Sequence, residues 1–324
     1  MKNISFYGRI TVDFLETDLF MKTSKAFGNL ILLITSVIWG LAFVFQRTGM
    51  DSIEPISFNA ARMAAAAVFL IVLSAILDLK KRKNTNIESE NAPESENESK
   101  KATLWGGVLC GLFLAASSTV QQMGMVHTSA GKAGFITAMY MLFVPIFNLV
   151  LFKKRAGVKV WVAVALGLFG MYLLCVKESF TLTVGDALIF LCALLFSGHI
   201  LCCDRFAPKC DPVKLSAVQF VVSAVICSVL ALIFEEPSMQ KIISAAIPIL
   251  YCGIMSGGVG YTLQIVGQKR TDPASASLIM SLESVFALIT GAIFLQEMMT
   301  LPELIGCVIM FAAIILVQLP EKHK

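Results

Sequence analysis

Long apolar stretches follow one another along this chain, and short polar breaks separate them. A helix crosses the hydrocarbon core of a bilayer with about 20 apolar residues. Stretches of this kind lie at 27–46, 57–79, 103–124, 131–152, 157–176, 184–203, 214–234, 242–266, 273–295 and 301–319. The pattern predicts an all-α membrane protein with ten transmembrane helices, which we number as spans 1 to 10.

The composition agrees with this class, with 57% hydrophobic residues, 15% charged residues and a mean hydropathy of +0.79. With this composition we expect no soluble domain of any size. Residues 1–26 and 320–324 are expected to be cytoplasmic tails. The loop 80–102 is polar and rich in glutamate, so it is expected to be disordered. Met21 opens a basic segment before span 1, and we expect it to be the true start, with residues 1–20 outside the native chain.

The basic residues predict the orientation, because lysine and arginine near span ends are retained on the cytoplasmic side. With the N-terminus inside, 21 of the 26 Lys and Arg residues fall in cytoplasmic segments. Both termini are therefore predicted to be cytoplasmic. The net charge of +4 then reflects the membrane topology. A nucleic-acid partner would require a basic face with stacking aromatic residues, and the sequence shows none.

The two halves of the chain share an internal repeat with opposite loop charges. Segment 151–159 is basic, whereas its counterpart 294–303 holds two acids and no base. At an offset of 143 residues, seven identities pair Thr119, Gln121, Gly124, Thr128, Ala133, Ile136 and Phe143 with Thr262, Gln264, Gly267, Thr271, Ala276, Ile279 and Phe286. A second register, with an offset of 157, aligns Pro55 with Pro212.

Each copy holds five predicted helices, so the second copy must enter the membrane upside down. The sequence therefore predicts two inverted five-helix repeats, at 27–176 and 184–319. Inverted repeats are typical of alternating-access carriers with a binding site near the middle of the membrane.

Three ionisable residues inside the spans are candidates for function, because charge at membrane depth is costly. Glu283 either takes up a proton or pairs with a substrate ammonium, or else bonds backbone amides at a helix break. Arg62 either attracts a substrate carboxylate, or forms a structural pair near the outer interface. His199 either contacts the substrate, or is satisfied by a neighbouring helix.

Polar side chains also form stripes on two spans related by the repeat. In span 8, Gly257, Tyr261, Gln264 and Gln268 share one helical face. In span 3, Gln121 is the mate of Gln264, and Tyr140 in span 4 takes the position of Glu283. These side chains either line a cavity or hold the bundle together by interhelical hydrogen bonds.

The nine cysteines lie almost wholly in the spans and are interpreted as apolar filler. One group, His199, Cys202, Cys203 and Cys210, suggests a metal, but its spacing matches no standard zinc pattern. We therefore expect no metal site and no cofactor.

Several short motifs occur in a characteristic order and spacing over residues 27–319. They are Ile38–Gly40, Phe58–Arg62, Thr128–Phe135 with Tyr140 and Val144-Pro145, Ser281–Phe286 with Glu297, and Leu304–Gly306. With these motifs the chain resembles the ten-helix, EamA-type branch of the drug/metabolite transporter superfamily. That family usually has proline after the span 9 glutamate, where this chain has Ser284, which changes the expected bend of the helix.

The resemblance implies a carrier in which spans 1–4 and 6–9 surround a central cavity and spans 5 and 10 are peripheral. It also implies movement of small polar metabolites, often amino acids or related compounds, commonly outward. The candidate substrate-binding residues are Gln121, Tyr140, His199, Tyr261, Gln264 and Glu283, with Arg62 as a charge partner.

Other classes receive less support from the sequence. An intramembrane enzyme needs a nucleophile with a base or paired acids, and the chain shows no such motif. A non-transporting membrane scaffold has no need of polar stripes on symmetry-related helices. We therefore expect a secondary-active transporter, not an enzyme, in a bacterial plasma membrane. Its substrate, its direction, its coupling to protons and its oligomeric state stay open.

Overall fold

The computed structural model describes residues 4–84, 93–128, 130–175, 183–295 and 300–319. Across these ranges the chain is helical and contains no strand. The α-helices are α1 (Ile4–Gly49), α2 (Pro55–Asn84), α3 (Pro93–Met125), α4 (Ala130–Ala138), α5 (Tyr140–Phe152), α6 (Val158–Cys175), α7 (Val184–Phe206), α8 (Pro212–Phe234), α9 (Met239–Ser244), α10 (Ala246–Leu250), α11 (Tyr261–Gln268), α12 (Pro273–Met280), α13 (Glu283–Leu295) and α14 (Leu301–Gln318). A π-helical segment, Tyr251–Gly260, joins α10 to α11.

Eight helical segments in the described ranges are long and apolar enough to cross a membrane. They correspond to the predicted spans 1–4 and 6–9. The sequences predicted as spans 5 and 10 form shorter apolar helices, at Val158–Leu173 and Leu301–Val317. The all-helical membrane fold is therefore confirmed.

The predicted boundaries outside the spans differ from the structure. The tail 1–26 is helical from Ile4, and the loop 80–102 is helical at 80–84 and 93–102. Adding a residue to an existing helix costs far less than starting one, so α2 and α3 extend into polar sequence that forms no core. The middle of that loop, 85–92, and the tail 320–324 lie outside the described residues.

The membrane bundle is apolar on its outside and partly polar within. Large side chains such as Trp105 and Leu232 are 66% and 73% exposed, whereas Gln122 and Gln264 are fully buried. This arrangement suits lipid as the solvent, because lipid does not penalise exposed apolar groups. In the bundle α2 packs on α8, α3 on α7, α1 on α13 and α6 on α14.

Two of the spans are broken near their middle. Met139 separates α4 from α5, and Ser281 and Leu282 separate α12 from α13. An offset of 143 carries Met139 onto Leu282, so the two breaks are equivalent under the repeat. In both, the backbone makes tight bonds over three residues, Met139 N to Ile136 O at 3.2 Å and Leu282 N to Ile279 O at 3.2 Å. The second break forms although Ser284 replaces the expected proline.

A close backbone contact also occurs twice. A Cβ at Gly185 would lie 2.7 Å from the Gly124 carbonyl oxygen, and a Cβ at Gly28 would lie 3.1 Å from the Gly267 carbonyl oxygen. The offset of 157 carries Gly28 onto Gly185, and that of 143 carries Gly124 onto Gly267. Glycine is needed at these positions because the helices touch through their backbones.

A side-chain contact accompanies each of these glycine pairs. Thr128 Oγ1 donates to Asp186 Oδ1 at 3.0 Å, and Thr271 Oγ1 donates to Asn29 Oδ1 at 2.9 Å. The same two offsets relate these four residues. The two halves of the chain therefore make the same local contacts, one at the start of α7 and one at the start of the first apolar stretch of α1.

Candidate functional site

A single buried cavity brings together the residues that the sequence marked out. Its volume is about 40 Å³, and its walls come from both halves of the chain. All seven predicted site residues line it: Arg62, Gln121, Tyr140, His199, Tyr261, Gln264 and Glu283. Sequence reasoning missed other lining residues, including Trp39, Gln46, Thr137, Phe196 and Ser256.

The cavity is lined by one guanidinium group, that of Arg62, and one carboxyl group, that of Glu283. Arg62 is 7% exposed and Glu283 is 5% exposed. Neither has an oppositely charged side chain within 4.0 Å in the described part of the chain. Buried charges are usually paired with each other or with a ligand. The pair is therefore suited to a small molecule that brings its own opposite charges.

A polar network of α2, α3 and α8 positions Arg62. Its Nε donates to Asn59 Oδ1 at 2.9 Å. The Asn59 amide in turn donates to Ser118 Oγ at 3.2 Å, to Thr119 Oγ1 at 3.1 Å and to Cys227 Sγ at 3.3 Å. Asn59 is fully buried, so this network holds the Arg62 side chain at the cavity.

Glu283 and Tyr140 enter the cavity from the two helix breaks. Each is the first residue of the helix that follows its break, α13 for Glu283 and α5 for Tyr140. The Tyr140 hydroxyl and the Glu283 carboxyl group are close enough to interact, and Glu283 Oε1 has no hydrogen-bond partner among the described residues. The N-terminal end of a helix favours negative charge, so the start of α13 offsets part of the cost of burying an ionised Glu283. The repeat therefore places an acid and a phenol at equivalent positions.

The two related glutamines face the cavity differently. Gln121 donates from Nε2 to Thr137 Oγ1 at 3.2 Å. Both amide atoms of Gln264 are buried without a partner in the described structure. Gln268, which the helical stripe grouped with them, instead donates to the Ile200 carbonyl at 3.0 Å. Only part of the predicted stripe therefore lines the cavity.

One wall of the cavity is aromatic and centres on Tyr261. The rings of Trp39, Phe220 and His199 lie with centroids 4.8, 5.4 and 5.6 Å from that of Tyr261. Trp39 Nε1 also donates to the Ser256 carbonyl at 3.3 Å. Ser256 belongs to the π-helical segment, and such segments often occur at functional sites.

His199 is satisfied by a neighbouring helix and also lines the cavity, and its contact with a substrate stays a prediction. Its Nε2 lies 3.0 Å from Gln219 Oε1 on α8, so a neighbouring helix satisfies the ring. It also lines the cavity. A cavity of about 40 Å³ has room for only a few waters, since each needs roughly 10–15 Å³. The space between the polar groups is therefore too small for a metabolite, and a larger molecule requires the helices to move apart.

The family model for EamA-like transporters matches residues 26–176 and matches again at 183–319. The chain belongs to the EamA-like transporter family. The two matches cover the two halves that the repeat defines, and the resemblance seen in the short motifs is confirmed. Together with the apolar helices, this makes the chain a multi-pass membrane protein of a transporter family.

Relatives carry transporter names. An uncharacterized transporter of Archaeoglobus fulgidus is 25% identical over 91% of this chain and 87% of its own. The uncharacterized transporter YoaV of Bacillus subtilis is 23% identical over 87% and 94%. A "Probable terminal-alkyne amino-acid exporter" of Streptantibioticus cattleyicolor is 22% identical over 92% and 94%. A crystal structure that is 15% identical covers 90% of this chain and 96% of its own with a TM-score of 0.69, which supports the fold alone.

Proposed function

We propose that this protein is a secondary-active transporter that exports a small polar metabolite, an amino acid or a related compound, by alternating access. The observation that carries the proposal is a narrow cavity in which Arg62 and Glu283 lie buried, with no oppositely charged side chain within 4.0 Å of either among the described residues. An energy source other than ATP follows from the absence of a phosphate-binding loop in the sequence. Proton coupling through Glu283 is one of the coupling modes to be tested.

The cavity chemistry fits a zwitterion with an apolar side group. Arg62 suits a carboxylate, because guanidinium and carboxylate form paired hydrogen bonds. Glu283 suits an ammonium group, and Gln264 offers both a donor and an acceptor. The rings around Tyr261 supply an apolar surface. The name of the relative from Streptantibioticus cattleyicolor agrees with this chemistry.

Alternating access is supported by the contacts that the two halves repeat. The breaks at Met139 and Leu282 provide equivalent bending points in two spans that reach the cavity. The paired contacts Gly124 with Gly185 and Gly28 with Gly267 give each half a similar local structure. Two arrangements related by exchange of the halves then have similar energy, which is the basis of carrier function.

The proposal includes ten spans, inverted halves and cytoplasmic termini in a bacterial plasma membrane. It is tested by single cysteines at Lys154, between α5 and α6, and at Leu301, at the start of α14. Both side chains are exposed. A membrane-impermeant thiol reagent added to intact cells should label Leu301→Cys, and should label Lys154→Cys only after lysis. Equal labelling of both from outside would refute the inverted insertion.

The transport claim is tested by metabolite profiling of cells with and without the protein. Compounds whose distribution changes are then offered to proteoliposomes with and without a pH gradient. We expect saturable uptake of at least one zwitterionic metabolite. No difference for any compound would favour the membrane scaffold, and chemical conversion of a compound would favour the enzyme. Equal transport at all pH values by Glu283→Gln and the unchanged protein would remove proton coupling through this residue.

A further inference from the structure

A cluster of sulfur and nitrogen ligands lies where α3 packs against α7, beside the cavity. Cys110 Sγ lies 3.7 Å from Cys203 Sγ. Cys203 Sγ lies 3.6 Å from His199 Nε2 and 3.9 Å from His199 Nδ1. Ligand atoms of all three residues lie within 4.8 Å of one another. His199 and Cys203 are four residues apart and share a helix face, and Cys110 faces them from the other helix.

These distances match the edges of a metal coordination polyhedron. With metal–sulfur bonds of about 2.3 Å and metal–nitrogen bonds of about 2.0 Å, tetrahedral geometry places two sulfurs roughly 3.8 Å apart, and sulfur and nitrogen roughly 3.6 Å apart. The observed separations of 3.7 and 3.9 Å agree within a few tenths of an ångström. Cys202 Sγ, 3.3 Å from Cys110 Sγ, is within reach of a fourth position.

The hydrogen bond that His199 makes through Nε2 leaves its Nδ1 available to a metal. With the Gln219 amide oxygen as acceptor at 3.0 Å, Nε2 carries the ring proton. The lone pair of Nδ1 is then available to a metal, and the ring has to turn to aim it there, because Cys203 Sγ lies 3.6 Å from Nε2 and 3.9 Å from Nδ1. Histidine ligands of metals commonly donate their other ring N–H to such a partner, which fixes the tautomer and the ring orientation.

Charge balance favours a divalent ion at this depth. Cys110 and Cys203 are fully buried, and His199 is 1% exposed. Two thiolates and a neutral imidazole around a divalent cation give a site of zero net charge, which is the least costly outcome at membrane depth. Sulfur and imidazole ligands select soft or borderline metals over magnesium and calcium.

We propose that Cys110, Cys203 and His199 form a binding site for a soft divalent d¹⁰ cation, Zn²⁺ or Cd²⁺. Binding replaces the two thiol S–H bonds with metal–sulfur bonds and releases two protons to the solvent, with no change of oxidation state. The sequence grouped His199 with Cys203 but not with Cys110, because Cys110 comes from a distant helix. A bound cation ties α3 to α7 next to the cavity and so stabilises this conformation.

The test titrates purified, reduced and chelator-treated protein, with any histidine tag removed, with Cd²⁺. We expect one equivalent of Cd²⁺ to produce the ultraviolet charge-transfer absorption of cadmium thiolates, and an excess of Zn²⁺ to compete with it. Gln219→Leu should weaken binding by about 10–100-fold, as other outer-shell changes do. Cys110→Ser, Cys203→Ser and His199→Gln should each weaken it further.

The control is Cys307→Ser, because Cys307 is also a buried cysteine but lies on α14. It should titrate like the unchanged protein. The proposal is overturned if the unchanged protein binds no Cd²⁺, if Cys110→Ser and Cys203→Ser bind it equally well, or if mass spectrometry finds Cys110 in a disulfide. Three ligand variants are compared, so that the test still gives a result if one of them does not fold. The assay needs no transported substrate, so its failure leaves the proposed function untouched.

Discussion

Replacing Asp186 by asparagine makes the side-chain contact at the start of α7 resemble the equivalent contact, between Thr271 and Asn29, in the other half of the repeat. The Asp186 carboxylate, 1% exposed, accepts from Lys132 Nζ at 2.7 Å and from Thr128 Oγ1 at 3.0 Å. In the equivalent contact, Asn29 takes the place of the acid, and Ser275 takes the place of the lysine. Asp186→Asn keeps the threonine bond and removes the negative charge from Lys132.

The expected loss of stability follows from the burial of this pair. Removing one partner of a buried ion pair costs about 3–5 kcal/mol. Because 16% of the Lys132 side chain is exposed and the Thr128 bond is kept, we expect the lower end, about 3 kcal/mol. At roughly 2–4 °C per kcal/mol, this corresponds to a fall of about 6–12 °C in Tm. The measurement is thermal unfolding of the detergent-purified protein.

A second substitution tests the reasoning. Lys132→Ser combined with Asp186→Asn copies the other end of the bundle, so the double variant should be more stable than Asp186→Asn alone. Recovery should be partial, because the bond from Thr183 N to Asp186 Oδ2 at 2.8 Å is also lost. As a control, Lys214→Gln breaks an exposed pair and should cost only about 0–1 kcal/mol. A double variant less stable than Asp186→Asn would refute the coupling.

Two further predictions concern the loops and the helix contacts. Lys241 hydrogen-bonds to Glu54 and holds the pKa of that carboxyl below its ordinary value. The pair therefore stabilises the fold at neutral pH, and this stabilisation is lost as the pH falls through the lowered pKa. Glu54→Gln should therefore lower Tm slightly at neutral pH and not in acid, and a difference independent of pH would contradict this. Gly40→Ala should cost about 1–3 kcal/mol, because its Cβ would lie 2.8 Å from Ala287 N. Gly134→Ala should cost nothing, since its Cβ would meet no atom closer than 3.7 Å, and equal Tm values for the two alanine variants would contradict the contact.

Much of the site could be predicted from sequence because charge and amide groups are rare in apolar spans. Arg62, His199 and Glu283 stood out for this reason, and the repeat added Gln264 as the mate of Gln121. Thr137 gave no such signal, because hydroxyl side chains are common in membrane helices and satisfy themselves on their own backbone.

Other features depend on tertiary packing or on local backbone geometry. Cys110 joins His199 only because α3 packs on α7, and no spacing in the sequence reports that contact. Gln268 lies one turn beyond Gln264 in α11 and donates to the Ile200 carbonyl, so it makes the interhelical hydrogen bond that was the alternative to lining the cavity. The glycines at 253, 257, 258 and 260 were the available signal for an irregular helix. The ends of α2 and α3 were missed because polar composition was taken as disorder.

In the proposed function, a zwitterion binds in the cavity between Arg62 and Glu283, and the protein then carries it across the membrane. The most direct measurement is uptake of the profiled metabolite by proteoliposomes that hold the unchanged protein, Arg62→Gln or Glu283→Gln, with Lys214→Gln as the control. We predict saturable uptake by the unchanged protein and the control, and a loss of at least about tenfold in both cavity variants, since each charged hydrogen bond contributes about 1.5–3 kcal/mol. Uptake by both cavity variants at the rate of the control would contradict the claim.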